Sequence, residues 1–249
     1  LKSFLLGGAG LFLVGLLCNW IMHQPKSLGT PWPLRKVLEW NGAIGQKLFN
    51  PEKIPPLPTP PSPGKTPRFN GDIGLSNEIR LDQWRLNIIS PSNLGKSKKL
   101  ALSIENIKWL PKVETLTEFK CIEGWSDVIS YAGVRFLDFL KYYRLGTKSG
   151  ESPDPRNRPE DLFSFVGLET PDRGYYVSLD MESMLHPQTL LVYEMNGKPL
   201  DLQNGAPLRL IIPVKYGIKS LKRIGTLFFS ETRPRDYWAE RGYDWFAGL

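Results

Sequence analysis

The sequence predicts an α+β fold, rich in strands and preceded by one apolar helix. Three observations carry that prediction. Twenty-two prolines and 23 glycines among 249 residues require many turns and few long helices. From Arg68 onward, short runs of strand character alternate with turn signals. Near the start, the 20 residues "SFLLGGAGLFLVGLLCNWIM" carry no charge. The chain is 41% hydrophobic and 23% charged, a globular balance that can bury a substantial core.

Taken in order, the uncharged stretch is long enough to span a bilayer as a helix, with Trp20 placed as an interfacial anchor. No Ala-x-Ala cleavage site follows it, and Leu17 before Cys18 is too large for a lipoprotein signal. Residues 1–24 are therefore assigned to a single-pass transmembrane anchor. Lys2 lies on one side of it and Lys26, Arg35 and Lys36 on the other, so charge counting alone keeps the large domain cytoplasmic. Residues 25–50 follow as an amphipathic juxtamembrane segment, in which Leu34, Val37, Leu38 and Ile44 recur at helical spacing. It suits a membrane surface or membrane partner, and equally a short helix packed on its own domain. Residues 51–67, "PEKIPPLPTPPSPGKTP", are nearly half proline and form an extended spacer.

Residues 68–249 make the folded domain. "WRLNIIS", "KKLALSI", "GYYVSLD", "TLLVYEMNG" and "LRLIIPV" predict strands, and "SIENIKWLP" a short helix. "DVISYAGVRFLDFLKYY" predicts a helix after Cys121, from Val128, Val134, Leu137, Phe139 and Leu140. "SGESPDPRNRPED", residues 149–161, predicts a polar surface loop.

Composition excludes several functions. A net charge of +7 implies an anionic partner: a membrane surface, a phosphorylated small molecule or nucleic acid. No basic run of helix length supports nucleic acid. Two histidines, His23 and His186, leave no histidine-rich zinc site, and no Gly-x-Ser-x-Gly elbow accompanies a catalytic triad. No glycine-rich nucleotide loop follows a strand. Two cysteines cannot hold a four-thiolate iron–sulfur cluster, and no C-x-x-C-H attaches a c-type haem.

Two stretches can carry chemistry. Cys121 in "TEFKCIEGWSDVIS" reads either as a small buried hydrophobe or as a thiolate on a soft metal. "NGAPLRLIIPVKYGIKSLKRIG", residues 204–225, sets Arg209, Lys215, Lys219, Ser220 and Lys222 among small residues. Such a segment admits a phosphate between cations and backbone N–H groups, or else forms a solvated edge strand.

The order Cys, then N-G-x-P-L-R-L-x-x-P-x-K-Y-G-x-K-S-x-K, resembles the molybdopterin-dependent oxidoreductases of the sulfite oxidase fold. The likeness is closest to the bacterial periplasmic methionine sulfoxide reductase catalytic subunits. "FKCIEGWSDVISYAGVRFLDFL", "FVGLET" and "MLHPQTLLVYEMNGKPL" look like their equivalents, over roughly residues 68–230. The resemblance implies a molybdenum–molybdopterin cofactor, with Cys121 as metal ligand and catalytic residue. It places cofactor contacts at Arg68, Asn70, Asp72, Thr170, Asn204, Arg209, Ser220, Leu221 and Lys222, with Leu221 offering backbone only. It implies two-electron oxo transfer, X=O + 2H⁺ + 2e⁻ ⇌ X + H₂O, on a small oxo donor or acceptor such as an S-oxide. Electrons would be exchanged with a membrane cytochrome b or quinone-linked complex. The family's usual location then puts the domain on the periplasmic side of the bacterial inner membrane, against the charge count. Cys121 is followed by Ile122-Glu123-Gly124-Trp125 and not the Gly-Asn-Arg run of sulfite oxidases, which leaves a sulfite pocket unsupported. The alternative is a non-catalytic accessory subunit of a membrane electron-transfer complex that keeps the fold.

Overall fold

In a computed structural model, residues 2–50, 53–54, 56–60, 67–69, 71–76, 79–92 and 97–249 are described, with side chains of the first helix from Gly8 onward. That helix, α1 (Lys2–Met22), leads into a small antiparallel ribbon of β1 (Lys26–Ser27) and β2 (Thr30–Pro31). Leu11, Phe12, Leu13, Val14, Leu16 and Leu17 of α1 are all exposed. Among the described residues, no helix is long and apolar enough to cross a membrane.

Next comes α2 (Trp32–Leu48), with Pro33 in its first turn, where a missing N–H costs nothing. Sequence left two readings for this segment, and the helix packs on its own domain. Arg35 is buried, and a Cβ added at Gly42 or Gly45 would stand 3.0 Å from Asp244 or Phe246. The opposite face is bare: Val37, Trp40, Ile44 and Leu48 are exposed at helical spacing.

The domain proper follows as β3 (Leu86–Ser90), β4 (Lys98–Leu102), α3 (Ile104–Lys108), β5 (Val113–Lys120), β6 (Ser126–Arg135) and α4 (Phe136–Tyr143). It continues through β7 (Phe165–Glu169), β8 (Tyr176–Asp180), α5 (Met181–Met184), β9 (Leu190–Met195), β10 (Lys198–Pro199), β11 (Arg209–Ile211) and β12 (Thr226–Ser230). One five-stranded sheet has the order β4-β3-β12-β7-β8; the other runs β10-β9-β6-β5, with β11 also on β9. All pairs are antiparallel except β3 with β12. Between the sheets lies the main core, where Leu86, Ile88, Leu168, Leu179 and Leu227 meet Phe136, Phe139 and Leu140 of α4. A smaller core of Ile129, Tyr131, Val192 and Ile211 lies around β6, β9 and β11.

The expected strands at residues 86–90, 98–102, 176–180, 190–195 and 209–211 form, as does the helix after Ser103, closed by a Ser103–Asn106 capping box. The helix expected directly after Cys121 does not. Residues 126–135 form β6 and the helix begins only at Phe136. Asp127, Ile129 and Tyr131 alternate inward, a period of two that the apolar count over the longer window concealed. At Gly133 a Cβ would stand 2.0 Å from the Leu191 carbonyl oxygen, so only glycine lets β6 cross β9 at its bulge.

Candidate active site

β5 ends at Lys120, and the pairing Lys120 to Ser126 leaves residues 121–125 as the hairpin loop. The Cys121 amide donates to the Trp125 carbonyl at 2.9 Å, and the Gly124 amide donates back to the Cys121 carbonyl at 3.1 Å. Gly124 takes φ +85°, which closes this loop without strain. Cys121 is thereby fixed at the head of the hairpin, buried, in no disulfide, and facing a cavity of about 320 Å³.

Three parts of the chain complete that cavity. Asp72 comes from the segment before β3; Arg209, Ser220 and Lys222 come from β11 and the loop after it; Tyr175, Trp238 and Tyr243 close the remaining side. Arg209 lies over the face of Tyr131, 5.6 Å from its centroid, and its Nη1 donates to the Asn204 carbonyl at 3.2 Å. Its Nε is buried with no hydrogen-bond partner among the described residues. Lys222 Nζ donates to the Gly71 carbonyl at 2.9 Å and stands 4.2 Å from the Phe69 ring centroid. Burial, then the Arg209 charge, pushes the Lys222 pKa down to about 8.

Thus Cys121, Asp72, Arg209, Ser220 and Lys222, distant in sequence, share one cavity. The other residues that the sequence singled out lie around it. Arg68 places its guanidinium 4.9 Å over Trp125, on the Cys121 loop, and its amide donates to Asp127 at 2.8 Å. Thr170 donates to Asp172 at 2.6 Å and accepts from the Tyr175 amide at 3.1 Å, setting the turn that carries Tyr175. Asn204 spends its side chain on Asp201 at 3.0 Å and offers its carbonyl to Arg209. Leu221 is buried; its amide donates to the Lys219 carbonyl at 3.1 Å and its carbonyl accepts from Leu210 at 2.9 Å. Asn70 lies outside the described residues.

Sequence reasoning missed Phe119, Tyr175, Trp238 and Tyr243, all of them aromatic residues of the lining. The Tyr175 hydroxyl donates to the Ile218 carbonyl and accepts from Trp238 Nε1 at 3.0 Å. Burial raises its pKa far above the ordinary phenol range, so Tyr175 keeps its proton. Lys215 and Lys219, grouped with the anion-binding cations on sequence, turn inward onto Asp180 and Asp236. A larger cavity, of about 660 Å³ between α2 and residues 233–246, holds neither Cys121 nor Arg209 and is separate from this chemistry.

The residues present fit a molybdenum–pterin group. Among the described residues, no three His, Cys, Asp or Glu side chains cluster to hold a metal. A metal at Cys121 would therefore take its other ligands from the cofactor. An unpartnered guanidinium nitrogen and a lysine in the same cavity suit the phosphate of such a group.

The profile of the oxidoreductase molybdopterin binding domain matches residues 73–238. The chain belongs to that family. It is a molybdopterin-dependent oxidoreductase with a molybdenum–molybdopterin cofactor. It is 32% identical over 249 residues to the "Putative protein-methionine-sulfoxide reductase subunit YedZ1" of Azospira oryzae, covering 99% of this chain and 85% of the relative. The protein-methionine-sulfoxide reductase catalytic subunit MsrP of Campylobacter jejuni is 32% identical over 71% of this chain and 60% of its own length. MsrP of Xanthomonas axonopodis pv. citri is 33% identical over 64% of this chain and 49% of its own. Against these two MsrP chains, the present chain spans about half to three fifths of their length. Among solved structures, the sulfane dehydrogenase SoxCD of Paracoccus pantotrophus superposes with a TM-score of 0.51. That match has 19% identity over 64% of this chain and 41% of the other, and it supports the fold of this molybdopterin-dependent oxidoreductase.

Proposed function

We propose that this chain is a catalytic subunit that reduces S-oxides, methionine sulfoxide among them, by two-electron oxo transfer. The observation that carries the reading is the convergence of Cys121, Arg209 and Lys222 on one cavity. When bound, the molybdenum–pterin group supplies the oxo transfer itself. Cys121 gives the metal its protein thiolate, and the tight 121–125 loop fixes where that sulfur points. Arg209, through the unpartnered Nε, and Lys222 neutralise the phosphate end. Ser220, Asp72, Arg68, Thr170 and Asn204 contribute contacts or hold the segments that do. Tyr175, its hydroxyl committed to Ile218 and Trp238, excludes water from the wall without supplying a proton.

Membrane anchoring belongs to the same proposal. Support comes from the exposed apolar side chains of α1 and the bare Val37–Trp40–Ile44–Leu48 face of α2. The two helices also touch through Trp20 and Trp32, whose ring centroids are 6.3 Å apart. Lys36 and Lys47 flank that face, which suits anionic headgroups. Residues 1–24 then anchor the chain in the bacterial inner membrane, residues 25–50 lie at its surface, and residues 51–67 tether the 68–249 domain on the periplasmic side. In this reading a membrane cytochrome b or quinone-linked protein supplies the electrons.

Metal and pterin content, measured on protein isolated from membranes, tests the reading. The wild type is expected to hold molybdenum and to reduce an S-oxide with a reduced-viologen donor. Cys121→Ser should lose metal and turnover by more than the roughly 10- to 100-fold that changes beyond the metal's own ligands cost, with the melting temperature of the cofactor-free protein unchanged. Wild-type protein free of molybdenum and pterin, or a Cys121→Ser variant that keeps metal and turnover, would overturn it.

A further inference from the structure

Arg35 is 4% exposed and reaches far along the chain. Its guanidinium donates to the carbonyls of Ser27 at 3.4 Å, Leu28 at 2.7 Å, Ala239 at 2.6 Å and Tyr243 at 3.2 Å. The last two belong to a single turn. The Tyr243 amide donates to the Trp238 carbonyl at 3.0 Å, and Gly242 closes the turn at φ +96°. Trp238 and Tyr243, at the two ends of this turn, meet edge to face at 4.9 Å and both line the Cys121 cavity. Arg35 and Tyr243 lie outside the stretch matched by the family profile, and Trp238 is its last residue. The turn that carries Tyr243, just past the stretch that the profile matches, is thus held from α2 by one arginine. A planar fork of N–H donors suits this task, because it fixes two carbonyls of one turn in a single geometry.

We propose that Trp238 and Tyr243 form a specificity-determining wall for the S-oxide substrate and that Arg35 is the positioning residue that sets it. The inference rests on the S-oxide reading above. Two aromatic rings beside a thiolate site favour a sulfur carrying an apolar substituent, through ring–sulfur contact and burial of the substituent. A substrate with only methyl groups has less to gain from the wall than one with a longer side chain. Small differences of this kind decide selectivity, since a tenfold change in binding is only about 1.4 kcal/mol.

The test uses the full-length holoenzyme with a reduced-viologen donor and two probes, methionine sulfoxide and dimethyl sulfoxide. Trp238→Ala is expected to raise KM for methionine sulfoxide about tenfold. KM for dimethyl sulfoxide should move less than about threefold, with kcat within about twofold and molybdenum content unchanged. Arg35→Leu should show the same split, together with faster hydrogen exchange at the amides of residues 239–243. Arg35→Lys should recover part of both effects. Unchanged KM ratios in Trp238→Ala would overturn the wall. Normal exchange in Arg35→Leu, or molybdenum loss in step with kcat in either variant, would overturn the positioning role. Wild-type holoenzyme that turns over neither S-oxide would overturn the functional reading and the wall with it; wild-type turnover with unaltered variants sinks the wall alone.

Discussion

Lys219 and Arg209 are both buried cations on the run from β11 to β12, yet their surroundings have little in common. Lys219 Nζ sits 2.5 Å from Asp236 and 3.2 Å from the Ser178 carbonyl. Asp236 in turn accepts from the Ser178 and Ala239 amides, each at 3.1 Å. That carboxylate and ammonium pin the C-terminal segment to β8. Lys215 behaves alike, 3.1 Å from Asp180 and 2.9 Å from the centroid of Phe246, with ion-pair distance but no hydrogen-bond geometry to the carboxylate. Arg209 has no ion pair among the described residues and leaves its Nε unsatisfied. A buried charge without a counter-charge is costly, and the cost is recovered when a ligand brings the anion. Within one segment, then, cations that face an internal acid hold the fold together, and the cations that line the cavity, Arg209 and Lys222, are placed to meet an anionic ligand.

The sharpest way to break this division is to remove Lys219. Lys219→Met leaves Asp236 a buried carboxylate without its counter-charge and should cost about 3–5 kcal/mol of unfolding free energy in urea titrations. The paired change with Asp236→Leu should recover most of it, because an apolar pair of similar volume replaces the ion pair. Arg209→Met should do the reverse. Cofactor-free stability should stay within about 1 kcal/mol of wild type, while pterin retention on a desalting column falls about 10- to 100-fold, the worth of charge-assisted bonds. An Arg209 variant that unfolds while keeping its pterin would contradict the comparison outright.

The smallest effect is a matter of pH. Lys222 has a pKa of about 8 in the folded protein, lowered by burial and by Arg209. As pH rises through 8 it loses the charge that a phosphate needs, so pterin affinity should fall, by at most about tenfold per pH unit. Lys222→Arg should flatten that profile. Stability without cofactor has the opposite sign. Between pH 8 and the ordinary lysine value, the unfolded chain binds more protons than the folded one, so the ligand-free fold gains stability as pH rises through that window. Cofactor release and melting temperature, followed on the same samples, check both directions.

Much of this was legible in the residue order, and the exceptions have physical causes. The strands at 86–90 and 190–195 announce themselves by short apolar runs between turns. β5, "VETLTEFK", alternates in the same way and passed unrecognised beside the Cys121 motif. β6 was misread because Val128, Val134, Leu137 and Leu140 satisfy a helical window that crosses the real boundary at Phe136. At the site, Cys121, Arg209 and Lys222 stand out as rare or charged residues in a tight motif. Trp238 and Tyr243 do not, since aromatic residues are common in the C-terminal stretch and only the folded turn aims these two at the cavity. Lys219 and Arg209 look equivalent in sequence because their difference lies in Asp236, 17 residues beyond the lysine.

The parallel pairing of β12 with β3, the one such pair among the described residues, also bears on how the sheet closes. β12 lies between β3 and β7, so the sheet β4-β3-β12-β7-β8 is two disconnected hairpins until residues 226–230 arrive. Until β12 is seated, β3 and β7 each present an unpaired strand edge, and the inserted strand joins the two hairpins. Ser220 and Lys222 lie just upstream of that strand, so the wall they contribute to the Cys121 cavity depends on its seating. One stretch of chain, residues 209–230, thus both lines the Cys121 cavity and joins the halves of the other sheet, so a change that unseats β12 should disturb the cavity as well.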